Sequence, residues 1–236
     1  MLLSEEPYPA LPMIDAGQEH LIYGLLPARV AIPAVPAIWH FYKRVNDLVL
    51  GLLLIVITAP VVAVAALAIL AVSPGWPIFA QARVGKDGRI FRMYKLRTMV
   101  NGAHLLHEKM RELNNVSGPV LKIKKDPRLI SIGPFLRRYS IDELPNLWNV
   151  LMGDMSLVGP RPPLPKEVAA YDTRAFRRLT VKPGVTCIWQ ISGRSDISFD
   201  RWIELDNQYI DSWSPILDFR ILAATVPAVF RAKGAY

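Results

Sequence analysis

Cysteine is nearly absent: Cys187 is the only one in 236 residues. A single thiol excludes an intramolecular disulfide framework and suits a reducing compartment. Histidine is scarce as well, with four in all. His104 and His107 stand three apart, but no Cys or carboxylate cluster joins them, so they are expected on the surface rather than on a metal. Heptads, internal repeats and zinc-finger spacings are missing too. Acidic charge is in deficit, 20 Asp+Glu against 28 Lys+Arg, for a net +8. That surplus suits nucleic acid, anionic lipid or a phosphate-rich substrate, and charge alone does not choose among them. The composition is 52% hydrophobic with a mean hydropathy of +0.24. This is too apolar for an ordinary soluble enzyme and too charged for a bundle of membrane spans.

The most informative absence is local. From Leu48 to Ala82 no residue is charged, and "LVLGLLLIVITAPVVAVAALAILAV" (48–72) exceeds the ~20 residues needed to cross a bilayer. It starts too late and is too long for a cleavable leader, and Glu5 and Glu6 stand at the extreme N-terminus. Pro60 removes a helix hydrogen bond and is expected to break the axis. Each half, 48–59 and 61–72, then reaches only roughly 18 Å, short of a ~30 Å core. Thr58 is placed to satisfy part of the backbone freed there. Lys43 and Arg44 precede the run, and Arg83, Lys86 and Arg89 follow it, so both ends favour the cytoplasmic side. A re-entrant helix–break–helix meets both demands, and a kinked full span is the alternative.

Three regions follow from this. Residues 1–40, rich in proline, form an N-terminal tail. Residues 41–76 hold the membrane helix, and 77–236 the globular part. The fold class expected is α+β, mainly α: a compact membrane-associated domain with one Pro-broken helix, re-entrant or kinked across the bilayer, a short β-hairpin and interfacial amphipathic helices. The hairpin is assigned to 77–99, with "GKDG" at its turn. The C-terminal stretch mixes Trp202, Tyr209, Trp213 and Phe219 with basic residues. That suits either a membrane surface or a helix packed on the core.

Basic residues converge on the globular part. Lys95 and Arg97 alternate with apolar neighbours, and "KIKKDPRLISIGPFLRR" (122–138) brings Lys122, Lys124, Lys125, Arg128, Arg137 and Arg138. "VGPRPP" (158–163) fixes Arg161 in a Pro/Gly loop, and "VKPGVTCIWQISGR" (181–194) adds Lys182 and Arg194. Cations held in stiff loops lose little freedom when they grip a phosphate. Nucleic acid is disfavoured as partner, because these residues lie in separate loops and no nucleic-acid-binding signature is present.

Within this basic region "YSIDELPNLW" (139–148) carries Asp142 and Glu143 just before Pro145. Proline suits a first helical turn, so a helix is expected to begin near 142–144, with Ser140 and Glu143 at capping-box spacing. Asp142 is expected to stay ionised beside arginines, at a helix start that also favours phosphate. An ionised carboxylate, a phosphate cradle and a divalent cation are what phosphoryl transfer through an aspartyl-phosphate requires.

"KLRTM", "LRRYSIDELPNLWNVLMGDMSLVGPRP", "VKPGVTCIWQISGRSD" and "ELDNQYIDSWSPILDF" closely resemble the bacterial sugar transferase family, the monotopic phosphoglycosyl transferases. The resemblance runs from about Phe41 to the C-terminus. It implies transfer of a sugar-1-phosphate, here a hexose-1-phosphate, from a UDP-sugar to undecaprenyl phosphate, with release of UMP. The setting implied is the cytoplasmic face of the bacterial inner membrane, at the start of exopolysaccharide, capsule or O-antigen synthesis. Asp142 would be the nucleophile and a ligand of Mg²⁺, and Glu143 an acid/base or a positioner of the polyprenyl phosphate. Arg161 and Arg194 would hold the nucleotide or phosphates, with Lys95, Arg97, Arg137 and Asp218 around them. The membrane segment would be the family's re-entrant helix, with its break at Thr58–Pro60, and the apolar surface is compatible with a homodimer. Alternatives are a HexNAc-1-phosphate transferase of the same family, a UDP-sugar pyrophosphatase, or a non-catalytic docking protein. Three positions depart from the family pattern: Cys187 for a small Gly, Asn146 for Gln and Pro134 for Arg.

Overall fold

The computed structural model of the chain describes residues 35–103, 123, 126–193 and 197–231. The proline-rich stretch up to residue 34, His104, His107, Lys122, Lys124, Lys125 and Arg194 lie outside the described residues.

A single long helix, α1 (Ala37–Val72), comes first. The hairpin of β1 (Ile78–Val84) and β2 (Ile90–Leu96) follows, and then α2 (Gly133–Arg138). A 3-10 turn at Ile141–Glu143 leads into α3 (Asn146–Met152) and β3 (Ser156–Val158). Short helices α4 (Pro165–Val168) and α5 (Thr173–Phe176) precede β4 (Gly184–Thr186) and α6 (Ile188–Ile191). The described chain closes with α7 (Phe199–Ser212) and α8 (Pro215–Arg231). The mainly helical α+β class and the hairpin are as expected. β1 and β2 pair antiparallel from Ile78↔Leu96 to Val84↔Ile90, and Asp87 (φ 55°) and Gly88 (φ 77°) turn the chain between them. The two-strand parallel pair β3–β4, Ser156↔Gly184 and Val158↔Thr186, has no periodic signature in sequence.

α1 differs from expectation. It is one element 36 residues long, and it runs through Pro60 rather than stopping there. Proline at 60 deprives the Val56 carbonyl of its donor. The Thr58 hydroxyl does not replace that donor; it donates to Leu54 O at 2.7 Å, a back-bond that bends helices. The helix persists because one face packs on the rest of the protein on both sides of the proline. A Cβ on Gly51 would lie 3.5 Å from the Val150 and Leu151 side chains, while Leu50, Leu54 and Ile55 join the main core. Beyond Pro60, Val62, Ala65, Ala66 and Ile69 pack on Leu96, Ile130 and Leu136. The spacing is helical and stays in phase across the proline.

Polar side chains fasten the same face. Arg44 donates to Val150 O and Leu151 O at 2.7 and 2.9 Å, which satisfies carbonyls at the C-terminus of α3. Asp47 accepts from Ser156 Oγ and from the Leu157 amide at 2.9 and 3.0 Å. At the far end Arg97 donates to Ser73 O, Gly75 O, Trp76 O and Ser73 Oγ, closing the C-terminus of α1.

The opposite face of α1 is bare. Val49, Leu52, Leu53, Val56, Ile57, Val61, Val64 and Leu67 are exposed, several by more than 60%. Soluble proteins rarely expose apolar patches beyond a few hundred Å², and this face left in water would forfeit on the order of 10 kcal/mol. By length and composition α1 suffices to cross a membrane, and only 11% of its most apolar window is buried. It is therefore not the core helix of a soluble fold.

Candidate active site

The acidic pair sits on the 3-10 turn between α2 and α3, and the local sequence explains the turn. Ser140 adopts the left-handed conformation (φ 54°), so its side chain makes no cap and the expected capping box does not form. Glu143 instead accepts from Lys95 Nζ of β2 at 2.7 Å. Pro145 then opens α3, where its missing N–H costs nothing. Asn149 docks this helix on the free edge of β2. Its Nδ2 donates to Arg92 O at 2.6 Å, and its Oδ1 accepts from Tyr94 N at 3.1 Å. A side-chain amide thus stands in for a neighbouring strand, and so places Glu143 opposite Lys95.

The two carboxylates differ. Asp142 is buried, no counter-ion contacts it among the described residues, and its pKa is lifted to about 6 by burial and by the charge of Glu143. Lys95 and Arg137 pull against that rise without cancelling it. Arg137 is itself anchored, Nε to Thr98 Oγ1 at 3.1 Å. Burial would raise Glu143 as well, but Lys95, Arg161 and Arg83 outweigh it, and its carboxyl stays below the usual range. The carboxylate expected to be the ionised one is thus the more basic of the pair. A small cleft opens beside them, lined by Lys95, Glu143, Asn146, Arg161 and Gln190 with Met93 and Met155. Glu143 is among the lining residues and Asp142, its neighbour in sequence, is buried.

Arg161 is presented by a loop of unusual completeness. Gly159–Pro163 is proline-rich, so it has few N–H groups to satisfy but every carbonyl needs a donor. Pro160 O accepts from Gly184 N, Arg161 O from Arg178 Nη2, Pro162 O from Arg83 Nη1 and Pro163 O from Val84 N, at 2.9 to 3.2 Å. Arg178 is buried and held by Asp206 (2.7 Å) and the Tyr171 hydroxyl (2.6 Å). Burial lifts the Asp206 carboxyl to about 6 in spite of Arg178. Glu167 stands 3.7 Å from the Arg161 guanidinium. Behind the loop Gly159 and Gly184 meet back to back, and a Cβ on Gly184 would lie 2.1 Å from Gly159 N. Cys187 is buried beside Trp189 and Trp202, and its thiol donates to Gln190 Oε1. Pro134 fits the first turn of α2.

Lys95, Arg137, Arg161, Asp142 and Glu143 are thus brought together. Two expected site residues are not. Arg97 spends its guanidinium on the end of α1, and the chain has left β2 at Leu96, so spacing from Lys95 no longer sets its direction. Asp218 belongs to a different cluster, accepting from Lys43 Nζ (2.6 Å), the Tyr209 hydroxyl (2.8 Å) and Trp213 Nε1 (3.2 Å), where it ties α1, α7 and α8 together. Arg83, Arg178 and Asp206 were not found from sequence. The prolines of "GPRPP" announce that outside donors are needed, but not which residues supply them.

No cluster of three or more metal-binding side chains occurs among the described residues. A magnesium ion takes one or two carboxylates and completes its shell with water and substrate phosphate, and of the acidic pair Asp142 is the one with no cation in contact among the described residues.

An acidic pair and two cations on fixed supports thus stand at one cleft, in a chain whose first helix carries a bare apolar face. The sequence profile of the bacterial sugar transferase family matches residues 38–232, and the chain belongs to that family. It is 48% identical over 162 residues to the galactosyl transferase CpsE of Streptococcus agalactiae, covering 68% of this chain and 36% of that one. It is 38% identical over 206 residues to the undecaprenyl-phosphate galactose phosphotransferase of Salmonella typhimurium, covering 84% and 42%. With the exopolysaccharide production protein ExoY of Sinorhizobium fredii it shares 35% over 213 residues, covering 86% and 92%. The chain therefore spans under half of the first two relatives and most of the third.

Proposed function

We propose that this chain transfers a hexose-1-phosphate from a UDP-sugar to undecaprenyl phosphate, releasing UMP, through a covalent phosphosugar on Asp142. The observation that carries the reading is the division between the carboxylates: Asp142 buried and unusually basic, Glu143 neutralised by Lys95. A carboxylate shielded from water and lacking a counter-ion is a better nucleophile than a solvated one, and a pKa of about 6 leaves it ionised at neutral pH. In the first step an Asp142 oxygen bonds the β-phosphorus, and the bridging P–O bond breaks with its electrons leaving on UMP. In the second a phosphate oxygen of the lipid attacks the same phosphorus, freeing the carboxylate and leaving a sugar diphospholipid. Glu143 holds Lys95, which keeps two further N–H donors for phosphate, and Arg161 meets the diphosphate from its fixed loop. Magnesium bound at Asp142 would offset diphosphate charge.

The bare face of α1 enters the cytoplasmic leaflet in this reading, and both ends return to the same side. Support comes from packing: the globular part lies against α1 both before and after Pro60, which a span with a domain beyond one end would not need. Mass spectrometry of the enzyme trapped with UDP-sugar and no lipid tests the chemistry. A phosphosugar adduct on Asp142, absent in Asp142→Asn, is expected. An adduct on Glu143, which lines the cleft, would reassign the nucleophile. Full-rate UMP release without lipid would instead indicate a pyrophosphatase. Single cysteines at positions 42 and 76, in a Cys187→Ala background, should both label from the cytoplasmic side only.

A further inference from the structure

We infer that Asn146, with Gln190 beside it in the cleft, recognises the sugar rather than the phosphates or the nucleotide. The inference rests on the function proposed above. Asn146 is 2% exposed and lines the cleft, yet its Oδ1 has no hydrogen-bond partner. Folded chains seldom leave a buried amide oxygen unpaired, because its desolvation is not recovered. Such an oxygen in a cleft wall is a place held for a donor that arrives with the substrate. The chemistry of the lining says which part of the substrate that is. Lys95 and Arg161 are cations and suit the diphosphate. Asn146 and Gln190 are neutral amides, which both donate and accept, and sugar hydroxyls need both. The Cys187 thiol occupies Gln190 Oε1, so Gln190 offers its amide nitrogen while Asn146 offers its oxygen. One donor and one acceptor at fixed positions can distinguish hydroxyl epimers, since a misplaced hydroxyl leaves the buried oxygen unpaired.

The test uses the full chain in detergent with polyprenyl phosphate and magnesium, measuring UMP release from UDP-glucose, UDP-galactose and their N-acetylated counterparts. Asn146→Ala should lower kcat/KM for the preferred sugar by about tenfold or more and change its ratio to the epimer, while inhibition by free UMP is unaltered. Asn146→Gln, which keeps an amide, should recover much of the rate with a changed order of preference. An equal loss for every UDP-sugar, or a matching loss of UMP affinity, would overturn the assignment and make the residue structural or nucleotide-facing. If Asn146→Ala does not fold, Asn146→Gln and the half-buried Gln190→Ala carry the same comparison. Should the unmodified chain release UMP from no UDP-sugar, the proposed function fails first and this inference with it.

Discussion

Replacing Arg178 with methionine separates two roles of one buried residue. Its side chain is 3% exposed and that of Asp206 1%, and Asp206 Oδ1 already lacks a partner. Removing the guanidinium leaves a buried carboxylate with nothing to neutralise it, a change that costs about 3–5 kcal/mol. At about 2–4 °C per kcal/mol for a chain of this size, the thermal midpoint should fall by roughly 10 °C. Acid should relieve the loss. Burial holds the Asp206 carboxyl near 6 rather than 3.8, so its contribution to stability is fully present below 3.8 and is lost as pH rises through 6. Without Arg178 the carboxyl rises further, and the deficit should be smallest near pH 4–5 and largest above pH 7. Pairing the change with Asp206→Leu removes the orphaned charge and should restore most of the midpoint. It cannot restore the bond from Arg178 to Arg161 O, so KM for the UDP-sugar should stay high in the double variant. Unfolding followed by intrinsic fluorescence in detergent at pH 5 and 7.5, with steady-state kinetics alongside, reads all of this. A cost under about 1 kcal/mol, or a double variant no more stable than the single, would refute the argument.

Three shorter tests address other parts. Lys95→Met removes the cation that holds Glu143 low, and the acid limb of the kcat/KM profile should move to higher pH, measured as UMP release between pH 5 and 8. Gly184→Ala places a Cβ 2.1 Å from Gly159 N. With backbone on both sides it should cost about 3 kcal/mol, seen as a lowered midpoint or loss of folded protein. Chelation with EDTA should stop UMP release and added magnesium should restore it; unchanged turnover in EDTA would remove the metal from the proposal.

Much of this could be seen in the sequence because it is written in runs and local patterns. The uncharged run 48–82, the hairpin with its GKDG turn and the DELP and GPRP stretches each carry their signal within a few residues. What escaped depends on distant partners. Glu143 was assigned to a cap on Ser140, but Lys95 from 48 positions upstream takes it. Asp218 was grouped with the phosphates, but Lys43, 175 positions away, pairs with it. Alternation placed Lys95 and Arg97 together, a rule that lapses once the strand ends at Leu96. Pro60 marked a break by its own chemistry, but packing on both sides of it keeps α1 in one piece.

The completeness of the Pro160–Pro163 loop bears on how substrate is admitted. Each of its carbonyls is already engaged, so the loop cannot fold around a diphosphate without surrendering a bond it has made. Its ordering entropy, about 1–2 kcal/mol per residue, was met when the chain folded and is not charged again at each turnover. In the proposed reaction Arg161 therefore works as one jaw of a fixed calliper. Whatever adjustment different donors require must come from the facing wall, where Lys95 and Glu143 hold each other by a single ion pair.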